Sequence, residues 1–238
     1  MHETVDYRKL RWSNLNSERF RHVKLLFFWP VFGIIFYGLE RLRPPISYHY
    51  MYCALDDLIP FSEYFVIPYL FWFVFMAGML LYAFFYETDT FQRYMWYIIF
   101  TYSVTLVIFL FFPTAQRLRP HTFVRHNIFT NIVAGFYAYD TSTNVCPSIH
   151  VIGSFAVMFA AWSSRLFSRL AWKIVFGVMA VLISVSTVFL KQHSALDVLV
   201  AMVVCLAAWP FTFSRWSRRL ILAPAKRAVC AVRAKRDS

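Results

Sequence analysis

Six long apolar stretches dominate the chain, at residues 23–39, 64–86, 94–112, 148–162, 170–190 and 195–213. Crossing the hydrocarbon of a bilayer takes about 17 to 25 largely apolar residues, so each stretch is long enough, or nearly so, to span one. Stretch 148–162 is the shortest, about 22 Å at the α-helical rise. It is expected to start at the interface, with its polar residues turned to protein or water. Lys173 lies close enough to the end of its stretch to snorkel. Period-two alternation is absent from the long runs, which argues against a transmembrane barrel.

Composition agrees. Only 15% of residues are charged, against about 25% in soluble domains, so lipid must solvate much of the outside. The net charge of +12 raises the question of a nucleic-acid partner. The basic residues, however, sit in short flanks between apolar runs, an arrangement suited to anionic headgroups. The bilayer, not nucleic acid, is the expected partner. The first run ends in Tyr37-Gly38-Leu39-Glu40 without a small-x-small cleavage site, so it is expected to remain as a span. Four cysteines are too few and too scattered for a disulfide framework. Cys53 and Cys146 fall on the same side, where a bridge and two free thiols both stay open.

Charge sets the orientation. With six spans, all but six of the 24 basic residues fall on or next to the side that holds the N-terminus, the even-numbered turns and the C-terminal tail. The exceptions are Arg41, Arg43, Arg117, Arg119, Arg125 and Lys191. The positive-inside bias then predicts an all-α integral membrane protein, a six-transmembrane-helix bundle with both termini cytoplasmic. Residues 1–22 form a basic amphipathic N-terminus, 23–213 the membrane domain and 214–238 a basic cytoplasmic tail. The tail reads as an inner-leaflet contact or as a topology signal. In the first outer loop, Pro44, Pro45, Asp56, Asp57 and Pro60 break the chain. Tyr48, Tyr50, Met51 and Tyr52 of that loop can lie along the interface. The second outer loop holds an apolar segment, 127–139, read as an interfacial or shallow re-entrant helix or as plain connection.

Three polar clusters share the outer side. The first runs from Phe112 through Arg117 and Arg119 to Pro120, the second from Asn144 through Pro147 and Ser148 to His150. The third runs from Ser186 and Thr187 through Lys191, Gln192 and His193 to Asp197. All three lie at odd-to-even span junctions, so the topology lets them converge. Pro147 opens a helix without wasting a donor, Ser148 stands where it can cap, and the free amides of that turn form an anion site. His193 and Asp197, four apart, share one face on a helix. Asp197 can then hold one imidazole nitrogen and leave the other free to attack. Arg119 and Lys191 supply positive charge for an anion. Ionisable groups at membrane depth are expensive and mark function by default. Two other readings are open: a helix-end His–Asp pair that only satisfies itself, and a zinc site of His150, His193 and Asp197. The second explains neither Arg119 nor Lys191.

Arg119-Pro120, Pro147-Ser148-Ile149-His150, Ser186, His193 and Asp197 together resemble, in order and spacing, the type 2 phosphatidic acid phosphatase (PAP2) superfamily of membrane lipid phosphatases and phosphotransferases. Two positions depart from its pattern: Phe112 stands where a Lys is usual, and Thr187 where an Arg follows the Ser. Arg117 and Lys191 can replace the missing charges. The Cys-Pro-Ser-x-His wording and the altered first motif are similar to the branch holding inositol phosphorylceramide and sphingomyelin synthases.

The resemblance and the residues together imply a lipid phosphate phosphatase acting through a phosphohistidine. His193 is the nucleophile, His150 the general acid and base, and Asp197 the residue that orients His193. Arg119, Lys191, Ser148 and Arg117 bind phosphate. No metal or other cofactor is needed. The alternatives are a phosphotransferase that moves a headgroup to an alcohol acceptor, and a non-enzymatic lipid-binding or transport protein. The expected setting is a bacterial plasma membrane with the site on the extracytoplasmic side. Reporters placed at residues 119, 150 and 193 should all read extracytoplasmic; one that reads cytoplasmic would refute the shared-side topology.

Overall fold

The computed structural model describes residues 5–44, 46–214 and 217. Residues 1–4, Pro45 and the expected tail, apart from Ser214 and Ser217, lie outside the described residues. The chain is largely helical. Helix α1 (Phe28–Tyr37) continues a 3₁₀ turn (Arg21–Phe27) and runs into a π turn (Gly38–Leu42). A short α2 (Leu55–Leu58) leads to α3 (Val66–Tyr86) and α4 (Thr88–Phe111). Then come α5 (Ile128–Tyr139), α6 (Ile149–Ser163), α7 (Leu170–Phe189) and α8 (Ala195–Phe213).

Among the described residues, five helical runs are long and apolar enough to cross a membrane: Arg21–Leu42, Glu63–Tyr86, Thr88–Phe111, Leu170–Phe189 and Ala195–Phe213. Helix α6 is apolar but only 15 residues long. The protein is thus an integral membrane protein built as a multi-span helical bundle.

Helix α6 forms the axis of that bundle, packing against α3, α4, α7 and α8. Every residue from Val151 to Ala161 is buried. Burial on all sides explains its composition. Gly153, Ser154, Ala156, Ala160 and Ala161 are small enough to let neighbouring backbones close in, the main source of helix association where lipid is as apolar as the core. The phenols that line it are given partners: Tyr97 Oη donates to the Cys205 carbonyl at 3.2 Å and Tyr102 Oη to the Ile149 carbonyl at 3.3 Å.

Helix α4 begins earlier than residue 94, and this corrects one expectation. Arg93 is not in a turn but inside α4 and buried. Its Nε donates to the Thr212 carbonyl at 3.0 Å, a second donor goes to Phe213, and the guanidinium stacks 5.0 Å over the Phe213 ring. The reason is the C-terminal end of α8, whose last carbonyls need donors and favour positive charge. At the same end of the bundle, Glu87 joins two turns by accepting from Tyr82 Oη at 2.7 Å, Thr90 Oγ1 at 2.8 Å and Ser164 Oγ at 2.9 Å.

The opposite end carries irregular backbone. The segment around Tyr48–Tyr52 reads in sequence as an interfacial element or as plain surface connection, and its backbone is not left unpaired. Strand β1 (His49–Tyr50) pairs in parallel with β2 (Thr114–Ala115), His49 against Thr114 and Tyr50 against Ala115. Backbone pairing satisfies amides that a nearby bilayer would leave dry. Helix α5 starts with a capping box: Asn127 Oδ1 accepts from Thr130 N at 3.0 Å, and Thr130 Oγ1 from Asn127 N at 2.9 Å. One face of it, with Phe129, Ile132, Val133, Phe136 and Tyr137, packs on Val66, Tyr69 and Leu190.

Gly153 has no space for a side chain: a Cβ there would lie 2.9 Å from Met76 Sδ, 2.9 Å from Tyr102 Oη and 3.0 Å from Trp72 Nε1. Gly153→Ala is therefore expected to destabilise the bundle by roughly 1–3 kcal/mol through overpacking. Thermal unfolding in detergent checks this, and an unchanged Tm would contradict it.

Candidate active site

Ser148 occupies the N-cap of α6 in extended conformation, so the amides of Ile149, His150 and Val151 have no intrahelical acceptor. Its hydroxyl makes no capping bond and is buried without a protein partner. Its own amide faces the Asp197 carbonyl at 3.4 Å. His150 follows in the first turn, its ring 4.7 Å from that of Tyr69 and 4.6 Å from that of Trp72. Its Nδ1 is buried and unpartnered.

His193 reaches the same place from the α7–α8 turn. The two imidazole centroids are 5.7 Å apart, inclined at 64°. His193 Nδ1 lies 3.3 Å from Asp197 Oδ2, which also accepts from the Ser194 amide at 2.9 Å. The reading of His193 and Asp197 as stacked on one helix face is corrected in detail. His193 precedes the helix, Ser194 is the N-cap of α8, and Asp197 closes a capping box on it. The capping box wins because it satisfies helix-start amides that a buried end cannot give to water. A carboxylate can only accept, so the His193 tautomer that satisfies this contact is the one with its proton on Nδ1.

The basic residues of this end each have a defined partner. Arg119 donates to the carbonyls of Asp140 at 2.8 Å and Thr141 at 3.0 Å and to Gln192 Oε1 at 2.5 Å, and meets the Asp140 carboxylate at 3.4 Å. The Tyr137 ring supports it at 4.7 Å, and its Nε stays unpartnered and buried. Arg119 is therefore tied to Gln192, the residue that precedes His193. Lys191, in left-handed conformation with φ 52°, turns its ammonium to the carbonyls of Asp56 at 2.7 Å and Ile59 at 2.5 Å. Burial pushes the Lys191 ammonium below its ordinary pKa, against the opposing pull of Asp56 and Asp57. Arg117 is exposed and lies over the Tyr50 ring at 3.9 Å. Arg43 caps α4 through the carbonyls of Phe109 at 2.7 Å and Leu110 at 2.6 Å, Arg41 reaches the Tyr139 carbonyl, and Arg125 pairs with Glu63 at 3.6 Å.

Sequence reading gives no site role to three residues here, although Gln192 falls within its third cluster. Asp56, taken only as a loop breaker, is 1% exposed and contacts the His193 turn. Gln192 bridges that turn to Arg119. Asp140 holds Arg119, its carboxyl raised by burial despite the guanidinium. The available signal was an acid or amide in otherwise apolar surroundings, which says that a partner exists but not which. Cys53 and Cys146 are free thiols. Burial, with Asp197 beside it, pushes the Cys146 thiol up to about 12, so it stays neutral. Among the described residues, no three His, Cys, Asp or Glu side chains are grouped to hold a metal ion. Shallow apolar grooves run along α4 and α7, but none of their lining residues belongs to this polar cluster.

A protein-family model, the PAP2 superfamily, matches residues 93–221, more than half of the chain and all three polar clusters from Arg117 to Asp197. The chain belongs to the PAP2 superfamily. Comparison with curated proteins and with solved structures gives no match. PAP2 membership makes this a membrane enzyme of the lipid phosphatase and phosphotransferase type. The match begins at Arg93, so α1 to α3 and the loop carrying Asp56 lie outside the PAP2 region.

Arg119→Lys keeps the charge but loses the fork that joins the 137–141 segment to Gln192. Turnover by the variant is expected to fall about tenfold or more, with a lower Tm, since hydrogen bonds to charged groups contribute roughly 1.5–3 kcal/mol. Wild-type turnover by the folded variant would refute that role.

Proposed function

We propose that this PAP2 enzyme is a lipid phosphate phosphatase that cleaves a phosphomonoester or pyrophosphate lipid through a phosphohistidine intermediate. The observation that carries the reading is the pair of imidazoles, 5.7 Å apart beside the amide end of α6, one of them held by a buried carboxylate. His193 Nε2 attacks phosphorus while the bond to the leaving oxygen breaks, and His150 gives that oxygen a proton. Water then attacks the phosphohistidine, His150 takes its proton, and the P–N bond breaks to release phosphate and restore His193. Asp197 fixes the tautomer that presents the lone pair. Arg119 and the amides around Ser148 balance charge on the equatorial oxygens, with Lys191 and Arg117 adding positive potential at the same end.

The scheme uses no metal or other cofactor. It places the site at the extracytoplasmic face of a six-span bundle whose termini are cytoplasmic. The basic residues concentrated at the other end support this, as does α6, which is short because it starts at the site. The lipid tails would stay in the bilayer while the headgroup enters from its edge. The second reading, transfer of a phosphorylated headgroup to an alcohol, keeps every residue role and changes only the acceptor. It is favoured by the Cys146-Pro147-Ser148 wording and by Phe112 at the usual Lys position.

The test is turnover of radiolabelled phosphatidic acid, phosphatidylglycerol phosphate and polyprenyl pyrophosphate, with and without alcohols, in excess EDTA. Free phosphate is the expected product; a new ester would select the transferase. His150→Ala should lose about 10²–10⁴ in rate, and His193→Ala should lose acid-labile label on the protein. Wild type silenced by EDTA, or His193→Ala near full rate, would overturn the mechanism.

A further inference from the structure

The loop between α1 and α3 lies outside the PAP2 region, yet it is stitched to the turn that carries His193 by bonds in both directions. Asp56 Oδ2 accepts from Ser194 Oγ at 2.5 Å and Oδ1 from the Ala195 amide at 2.7 Å. Lys191 Nζ likewise donates to the carbonyls of Asp56 and Ile59, and in return the Ser62 amide donates to the Phe189 carbonyl at 3.1 Å. His193 is bracketed: its neighbours two before, one after and two after are all held by this one loop. The loop has its own brace, because Asp56 Oδ2 also accepts from the Cys53 amide at 2.9 Å.

The amides that open α8 are thereby fully assigned. Ser194 N goes to Asp197, Ala195 N to Asp56 and Leu196 N to Ser194 Oγ at 3.2 Å. Two carboxylates, one local and one from 138 residues earlier in the chain, thus take the dipole of this helix end. The corresponding amides of α6 remain for an anion.

We infer that Asp56 is a positioning residue for His193, acting with Lys191 as a two-way clamp that joins the first outer loop to the Lys191–Ala195 turn. The inference rests on the reading of His193 as nucleophile. Without Asp56, the Ala195 amide and Ser194 hydroxyl are left buried and unpaired, and the turn relaxes until the 3.3 Å contact between His193 and Asp197 is lost. Lys191 then serves phosphate chemistry by holding the turn, and Arg119 is the cation nearest the substrate.

The experiment uses the full chain in nanodiscs, wild type against Asp56→Ala, Asp56→Asn and the control Asp57→Asn. Two quantities are read: kcat and KM on the best lipid phosphate of the panel above, and the ¹⁵N signals of the His193 imidazole. Wild type should show one neutral tautomer with the proton on Nδ1. Asp56→Ala should show mixed tautomers and a kcat lowered on the order of tenfold to a hundredfold, as slight misplacement of a reacting group can cost. Its KM should stay within about threefold. Asp56→Asn should recover part of both, because its amide oxygen still accepts from Ala195, and Asp57→Asn should behave as wild type.

A single wild-type tautomer in Asp56→Ala overturns the proposal, whether or not Tm or rate falls, since Asp56 would then serve folding alone. Unchanged kcat overturns it too. Should Asp56→Ala fail to assemble, Asp56→Asn and Lys191→Met are read against the same two quantities. If wild type cleaves no lipid phosphate while the tautomers mix in Asp56→Ala, the phosphatase reading falls and the clamp stands.

Discussion

A helix that ends at the edge of a bilayer leaves amides and carbonyls with little water to take them. That single requirement organises the polar end of this protein. The start of α8 is closed by Asp197 and Asp56, the end of α4 by Arg43, the end of α5 by Arg119 and Arg41, and the Lys191 turn by Gln116, which donates to its carbonyl at 3.0 Å. The start of α6 differs from these: its N-cap hydroxyl is buried and unpartnered beside two histidines. An amide end left beside two imidazoles is the feature on which the proposed anion site rests.

The burial of α6 serves that end as well. A helix surrounded by protein on every side cannot shift without disturbing α3, α4, α7 and α8 together. Gly153, one turn below His150, lets Trp72 and Tyr102 approach, and Trp72 is one of the two rings that hold the His150 imidazole. Packing in the membrane core therefore fixes one imidazole, while hydrogen bonds at the surface fix the other. The placement of the two imidazoles thus depends on different physics, so core and loop substitutions should fail in different ways.

Much of the fold was legible before any coordinates. Apolar length identified the membrane helices because bilayer thickness sets a fixed requirement, and the Pro147 start of α6 fell within a residue of its observed N-cap. The PAP2 likeness read from Arg119, Ser148, His150, His193 and Asp197 agrees with the family match. What stayed hidden were choices among partners. Arg93 looks like a topology signal because the carbonyls it donates to lie 119 and 120 residues away at the end of α8. Asp56 looked like a loop breaker because the groups it holds are 138 and 139 residues distant. An acid in an apolar setting announces a need, and sequence spacing does not say what meets it.

The sequence by itself determined that this chain lives in a membrane, which end of it is rich in basic residues, and to which family its polar motifs belong. Those follow from composition, run length and residue type, all local properties. Only the tertiary structure decided that His193 sits before its helix rather than on it, that Lys191 faces a loop carbonyl pair, and that Asp56 reaches the same turn. Such outcomes depend on which helix ends meet in space, and each unsatisfied backbone group there takes the nearest donor or acceptor, however far along the chain it arose.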